Sequence, residues 1–179
     1  FAQLRFARDA KQAEIEHYLA LSISQAEALT KTNTVRYSVG DFYGFSHGFR
    51  LIDPRPEVAR QVLQDIFSDA VGAGPAGQMG GPLLRAALDY ANAHNRFHED
   101  YLSFLRGSEF DNLYLVNLDG RVVYSAFKDG YLGADLSGGL VAHTPLARLT
   151  QSLLAGGRGL GGVALQDFGP DPVNGDFSA

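Results

Sequence analysis

Tyr124, Ser125 and Lys128 place a phenol, a hydroxyl and an ammonium within five residues of chain. Asp167 arrives from a later extended stretch and Tyr114 from an earlier one, so five polar side chains can converge. A carboxylate such as Asp167 suits a ligand amine, and an ammonium such as Lys128 suits a ligand carboxylate. With apolar walls, that set fits a pocket for an amino acid or a small organic acid. The plainer alternative is that Lys128 and Asp167 pair with each other at the surface, which is worth about 0–1 kcal/mol.

Other constellations point to less chemistry. His94 and His98 stand one helical turn apart, a spacing that can hold a metal ion. A zinc-protease helix needs glutamate directly after the first histidine, and Asn95 stands there. Tyr90, His94, Phe97, Tyr101 and Phe104 form one aromatic stripe, which makes His94 a core or interface residue. No serine sits in a nucleophile elbow, and the glycine-rich stretch from Gly72 lacks the Gly-Lys-Ser/Thr ending of a phosphate loop. Asp111 and Asp119 flank a turn and read as turn chemistry. The chain has no cysteine, which removes disulfides, thiolate catalysis and cysteine-zinc sites. No catalytic residue, metal or cofactor is expected.

The elements that must position these residues fall into two runs. Ile15, Tyr18, Leu19, Ser22, Ala26 and Leu29 share one helical face. A break at Lys31-Thr32-Asn33-Thr34 is a kink or a cap opening a second helix at Val35. That second segment draws Val35, Val39, Phe42, Phe45 or Ser46, and Phe49 into one stripe, with Gly40, Gly44 and Gly48 at every fourth place. Three helical glycines cost about 2–3 kcal/mol relative to alanines. Close approach of a neighbouring helix offsets that cost; flexibility for signalling is the other reading. Asp53-Pro54-Arg55-Pro56-Glu57 signals a helix start with Asp53 as cap, leading to buried Val58, Val62, Ile66 and Phe67. Gly72 to Pro82 reads as an exposed loop, and a long helix runs from about Leu83 to Leu105.

After Gly107 the pattern alternates. Residues 112–117 and 121–125 read as two strands joined by Asp119-Gly120, a strong hairpin signal. Thr144-Pro145 opens a helix carrying Leu146, Leu149 and Leu153, and residues 163–168 read as a third strand. Helices first and strands later make an α+β chain, divided into a helical segment, 1–107, and a strand-bearing portion, 108–179. The chain opens on an uncapped helical pattern and stops at the hairpin turn Asn174-Gly175-Asp176 with its second strand only begun. A piece of a longer protein is therefore expected.

Net charge is −5, which argues against nucleic acid as a partner, since phosphates need a basic face. No apolar run approaches the ~18 residues of a membrane helix, and the first residues have no signal-peptide core. Arg5, Arg8 and Lys11 form either a solvated helix face or a segment just beyond a membrane.

The run from Phe110 to Lys128, Phe-Asp-Asn-Leu-Tyr-Leu-Val-Asn-Leu-Asp-Gly-Arg-Val-Val-Tyr-Ser-Ala-Phe-Lys, resembles sensor domains of methyl-accepting chemotaxis proteins. Related sensor kinases and membrane-bound cyclases carry similar domains. Asp167-Phe168-Gly169-Pro170, followed by Asn174-Gly175, resembles the loop after their third strand. The resemblance implies long N-terminal helices packed beside a PAS-like (Cache) antiparallel sheet, with the last strands beyond this chain and strands one and three not paired. It implies a periplasmic ligand-sensing domain of an inner-membrane chemoreceptor, dimeric through its N-terminal helix and tied to the membrane by flanking spans. Its ligand would be an amino acid or organic acid, with Tyr114, Tyr124, Ser125, Lys128 and Asp167 as the candidate contacts. A dimerisation or protein-interaction module that binds no small molecule is the alternative, and a soluble PAS-type regulator is a third.

Overall fold

The structure is a computed structural model and describes residues 2–40, 42–67, 81–156, 163–166, 169–171, 173 and 177–178. It is an α+β chain with a long N-terminal helix and small antiparallel sheets.

Helix α1, Ala2–Thr30, is the longest element. The first half of its expected apolar face lies in solvent: Ile15 is 59% exposed and Tyr18 49%. It reaches the main core only near its end, at Leu29. The break that follows is a cap. The Thr32 hydroxyl accepts from the Val35 amide at 3.3 Å and starts α2, Asn33–Val39.

The single stripe expected from Val35 to Phe49 is two helices. The chain leaves α2 at Gly40 and re-enters a helix only at α3, Phe45–Ile52, with Gly44 extended at its N-cap. A Cβ at Gly44 would lie 2.5 Å from the Ser38 carbonyl oxygen, so this glycine permits the turn. Periodicity carried straight through a break that only the backbone contacts reveal. Gly48 alone of the three serves helix packing, against the long helix that carries Tyr90.

Asp53 also takes a different part from the one expected. It ends α3 and folds an Asx turn, its Oδ1 accepting from the Arg55 amide at 2.8 Å, while α4 begins at Pro56 and runs to Phe67. The two prolines force this offset: Pro54 follows Asp53 directly, and the residue before a proline is held extended. Helix α4 buries Ala59, Val62 and Leu63, with Val58, Ile66 and Phe67 half-covered. Helix α5 spans Gly81–Arg106 and buries Tyr90, Phe97 and Tyr101 along its aromatic stripe. The expected loop from Gly72 falls mostly outside the described residues.

Strands β1, Tyr114–Val116, and β2, Val122–Ser125, form the expected hairpin. At its tip Gly120 has φ +78°, a left-handed value that glycine takes without a Cβ clash. Asn117 Oδ1 accepts from the amides of Asp119 and Arg121. The register slips between Leu115 and Val116, so that Val116 faces Val122 and Leu115 faces Tyr124. This bulge turns Val123 and Tyr124 toward the same core. The far edge of β2 is covered by the chain returning through Gly133 and Ala134, which exchange two backbone hydrogen bonds with Val122 at 2.8 and 2.9 Å.

One core draws Phe45, Leu63, Tyr90, Tyr101, Leu115 and Tyr124 together from both sides of residue 107. A second, on the opposite face of the hairpin, gathers Val122, Tyr131, Ala134, Leu136, Val141 and Ala147. Helix α6, Pro145–Ala155, is capped by Thr144, whose hydroxyl accepts from the Ala147 amide. It buries Pro145, Ala147 and Thr150, and its leucines 146, 149 and 153 are only half-covered.

The third strand expected over residues 163–168 does not form in the part described, 163–166. Residues 163–166 are irregular, 167 and 168 lie outside the described residues, and the strand is β3, Gly169–Pro170. It pairs antiparallel with β4, Phe177–Ser178, across the segment holding Asn174-Gly175. An extended segment needs a partner edge for its amides, and among the described residues none pairs with 163–166. Strands β1 and β3 belong to separate sheets and do not pair.

Candidate functional site

Alternation along a strand sends neighbouring side chains to opposite faces, and that rule divides the expected site in two. Tyr114 and Ser125 stand opposite one another in the hairpin, facing away from the aromatic helix core. Tyr124 and Lys128 turn toward that core.

On the first side the organising group is Asp129, which was not among the expected contacts. Its Oδ2 accepts from the Tyr114 hydroxyl and from Asn112 Nδ2, the latter at 3.1 Å. Its Oδ1 accepts from Ser125 Oγ at 3.1 Å and from the Tyr131 amide at 3.2 Å. Ser125 is fully buried. Four donors converge on one carboxylate, so Tyr114 and Ser125 fix the loop after β2. Asp129→Asn trades one acceptor oxygen for a second donor facing Asn112. It is expected to cost about 1–2 kcal/mol in urea unfolding, the scale of a hydrogen bond to a charged acceptor. An unchanged midpoint would show the network to be slack.

On the second side four nitrogen and oxygen groups meet. His98 Nδ1 lies 2.7 Å from Tyr124 Oη and 3.4 Å from Lys128 Nζ. The His94 and His98 rings stack with centroids 4.2 Å apart, and Phe67 covers His94 at 4.8 Å. Lys128 Nζ also donates to the Ala126 carbonyl at 3.0 Å and sits over the rings of Tyr124 at 4.9 Å and Phe67 at 5.5 Å. Lys128 has φ +56°, a left-handed backbone for a residue bearing a Cβ. That conformation costs about 1–2 kcal/mol, and it folds the ammonium back over Tyr124. No carboxylate among the described residues is bonded to it. Asp167 lies outside the described residues.

Electrostatics follow from this crowding. Burial lowers the Lys128 amine to about 8. Burial, then the Lys128 charge, then His98 hold His94 down to about 4, against a smaller opposing hydrogen bond from Asn95. His98 is lowered by burial and then by Lys128, with Glu99 opposing. Burial, then Tyr101, raises the Tyr124 phenol.

The depressed histidine has a consequence for stability. The unfolded chain binds a proton at His94 near the ordinary 6.5, whereas the folded chain does so only near 4. Folding stability from this residue is therefore full above about pH 6.5 and is lost as pH falls toward 4. His94→Gln is expected to flatten the fall of the urea midpoint across that window. A variant falling as steeply as the parent would place the acid sensitivity elsewhere.

Among the described residues no three His, Cys, Asp or Glu side chains converge on a common point. The two-histidine spacing that suggested a metal is a stack of rings beside a cation. Sequence reasoning weighed His94 and His98 for metal or core, and did not join them to Tyr124 and Lys128. The available signal was their place on the aromatic stripe, which had to face something. Among the described residues an open cleft of about 250 Å³ lies elsewhere, between Tyr37, Phe42, Tyr43, Arg96 and Phe97. No helix of the described residues is long and apolar enough to cross a membrane.

No family model matches the chain, and neither a curated protein nor a solved structure is significantly similar to it.

Proposed function

We propose that this chain is the ligand-sensing, extracytoplasmic part of a bacterial transmembrane chemoreceptor, built on a PAS-like (Cache) domain. It takes a small organic solute of the amino-acid or organic-acid class and passes a conformational signal through flanking membrane spans. The observation that carries this reading is Lys128. It is a half-buried ammonium in a left-handed turn, beside a phenol and two imidazoles, with no carboxylate on it among the described residues. Its hairpin is also the stretch that resembles the chemoreceptor sensors. Tyr124, Lys128 and Asp167 are the proposed contacts, while Tyr114 and Ser125 act one layer back through Asp129. Signalling then means that ligand favours one of two packings of hairpin on helices.

Thermal unfolding with a series of amino acids and carboxylates tests this. A rise in melting temperature with at least one of them, lost in Lys128→Met, is the expected result. No rise with any of them would leave the second reading.

That second reading is a dimerisation module that binds no small solute. It is favoured by the apolar side chains α1 leaves in solvent, with Leu4 72% and Phe6 78% exposed. Sedimentation equilibrium of the chain, and of Ile15→Glu, distinguishes a stable dimer from a monomer.

A further inference from the structure

We propose that His98 and His94 complete, with Lys128, a three-nitrogen anion subsite that takes up a carboxylate together with a proton. This rests on the sensing reading and adds to it the charge and the pH dependence of what is sensed.

The geometry is unusual for a resting core. Lys128 Nζ and His98 Nδ1 stand 3.4 Å apart, both basic, and the stacked His94 ring follows at 4.2 Å. His94 Nε2 is buried and has no hydrogen-bond partner among the described residues. A buried polar atom left unpaired costs about 1–3 kcal/mol, so two basic nitrogens in contact, beside a stacked ring with an unpaired one, form a poor structural plug. They form a good receptor for two acceptor oxygens.

Among the described residues no carboxylate is bonded to Lys128, and the groups around the cluster are these. From β2 comes Tyr124, and from the loop after it Lys128. From α4 comes the Phe67 ring. Helix α5 itself adds Asn95 beside His94 and Glu99 beside His98, and Glu99 is engaged by Arg106.

The proton has a defined place. Lys128 is a donor only, so at neutral pH His98 Nδ1 is an acceptor shared by the Tyr124 hydroxyl and the ammonium. A carboxylate draws Lys128 off Nδ1. The anion's field then favours imidazolium, a proton from solvent settles on Nδ1, and the Tyr124 oxygen turns from donor to acceptor. One carboxylate and one proton enter, and no covalent bond changes.

The sign follows. Without ligand, burial and the Lys128 charge hold His98 below its ordinary value, so it is neutral at pH 7. Bound anion raises it. Between the two values affinity strengthens as pH falls, by up to about tenfold per pH unit for each proton taken up. Above about 8 the Lys128 amine loses its own proton and affinity falls again.

Sodium propanoate is the probe. Calorimetric titration near pH 6 in two buffers of different ionisation enthalpy reads protons taken up, and imidazole ¹⁵N spectra read which ring takes them. The expected result is net proton uptake, at most about one per site, with the His98 nitrogens moving toward imidazolium. His98→Gln is expected to keep binding through Lys128 but to lose the strengthening of affinity as pH falls. If that variant does not fold, Lys128→Met serves, with the histidine response to propanoate lost. Saturable binding without proton uptake overturns this inference and leaves the sensing reading standing. No saturable response to propanoate removes the anion subsite, and the wider solute series then decides the sensing reading by itself.

Discussion

Replacing Phe45 by alanine is expected to cost about 3–5 kcal/mol, the range for deleting a buried aromatic ring. Phe45 has no exposed surface and is the hinge of the aromatic core. Its ring lies 4.6 Å from that of Tyr124, 5.3 Å from Tyr90 and 6.2 Å from Phe97. Each aromatic pair adds about 0.5–1.5 kcal/mol beyond the area it buries. Small domains are stable by only about 5–15 kcal/mol, so the variant should sit near the edge of folding at room temperature. Urea unfolding reads the change as a large fall in midpoint with the slope preserved. The loss should also reach the candidate site, because Phe45 is the wall behind Tyr124, and Tyr124 holds His98. A fall of less than about 1 kcal/mol would mean that the cavity collapses freely and that this core is not close-packed.

Gly48→Ala is expected to destabilise the chain by about 1–3 kcal/mol, the usual range for overpacking. In an open helix the same change stabilises by about 1 kcal/mol, because alanine is the better helix former. The sign is therefore the test. A Cβ at Gly48 would stand 2.9 Å from Tyr90 Cα and 3.1 Å from its amide nitrogen. Those atoms belong to the backbone of α5 and cannot swing aside. The helices must part, and Tyr90 moves with them. Its hydroxyl donates to the Val123 carbonyl at 2.7 Å, so the disturbance reaches β2 directly. Gly48→Leu should be worse than Gly48→Ala. A stabilised Gly48→Ala would show that α3 and α5 are further apart than this packing has them.

How much was legible beforehand differs from element to element. Thr32, Thr144-Pro145 and Asp119-Gly120 act locally, through hydrogen bonds within three or four residues, and each does what its type and spacing imply. The aromatic stripe of α5 was legible because a helix repeats every 3.6 residues and its buried side must be apolar. The stripe drawn through Gly40 and Gly44 failed because periodicity does not register a break that preserves phase. The strand expected at 163–168 is irregular over 163–166, because propensity supplies an extended chain but not an edge to pair with.

The candidate site shows the same division. Local sequence determined that Tyr124, Ser125 and Lys128 would be close together, that a hairpin would carry them, and that His94 and His98 would share a helix face. Tertiary structure alone decided that Ser125 would turn to Asp129 while Tyr124 and Lys128 turned to the histidines. The bulge at Val123 and the left-handed backbone of Lys128 aim those side chains. The packing of α5 on the hairpin then brings together groups 26 and 30 residues apart. Contacts over such separations depend on the whole fold's balance of burial against chain entropy, and that balance is not written in any short stretch of residues.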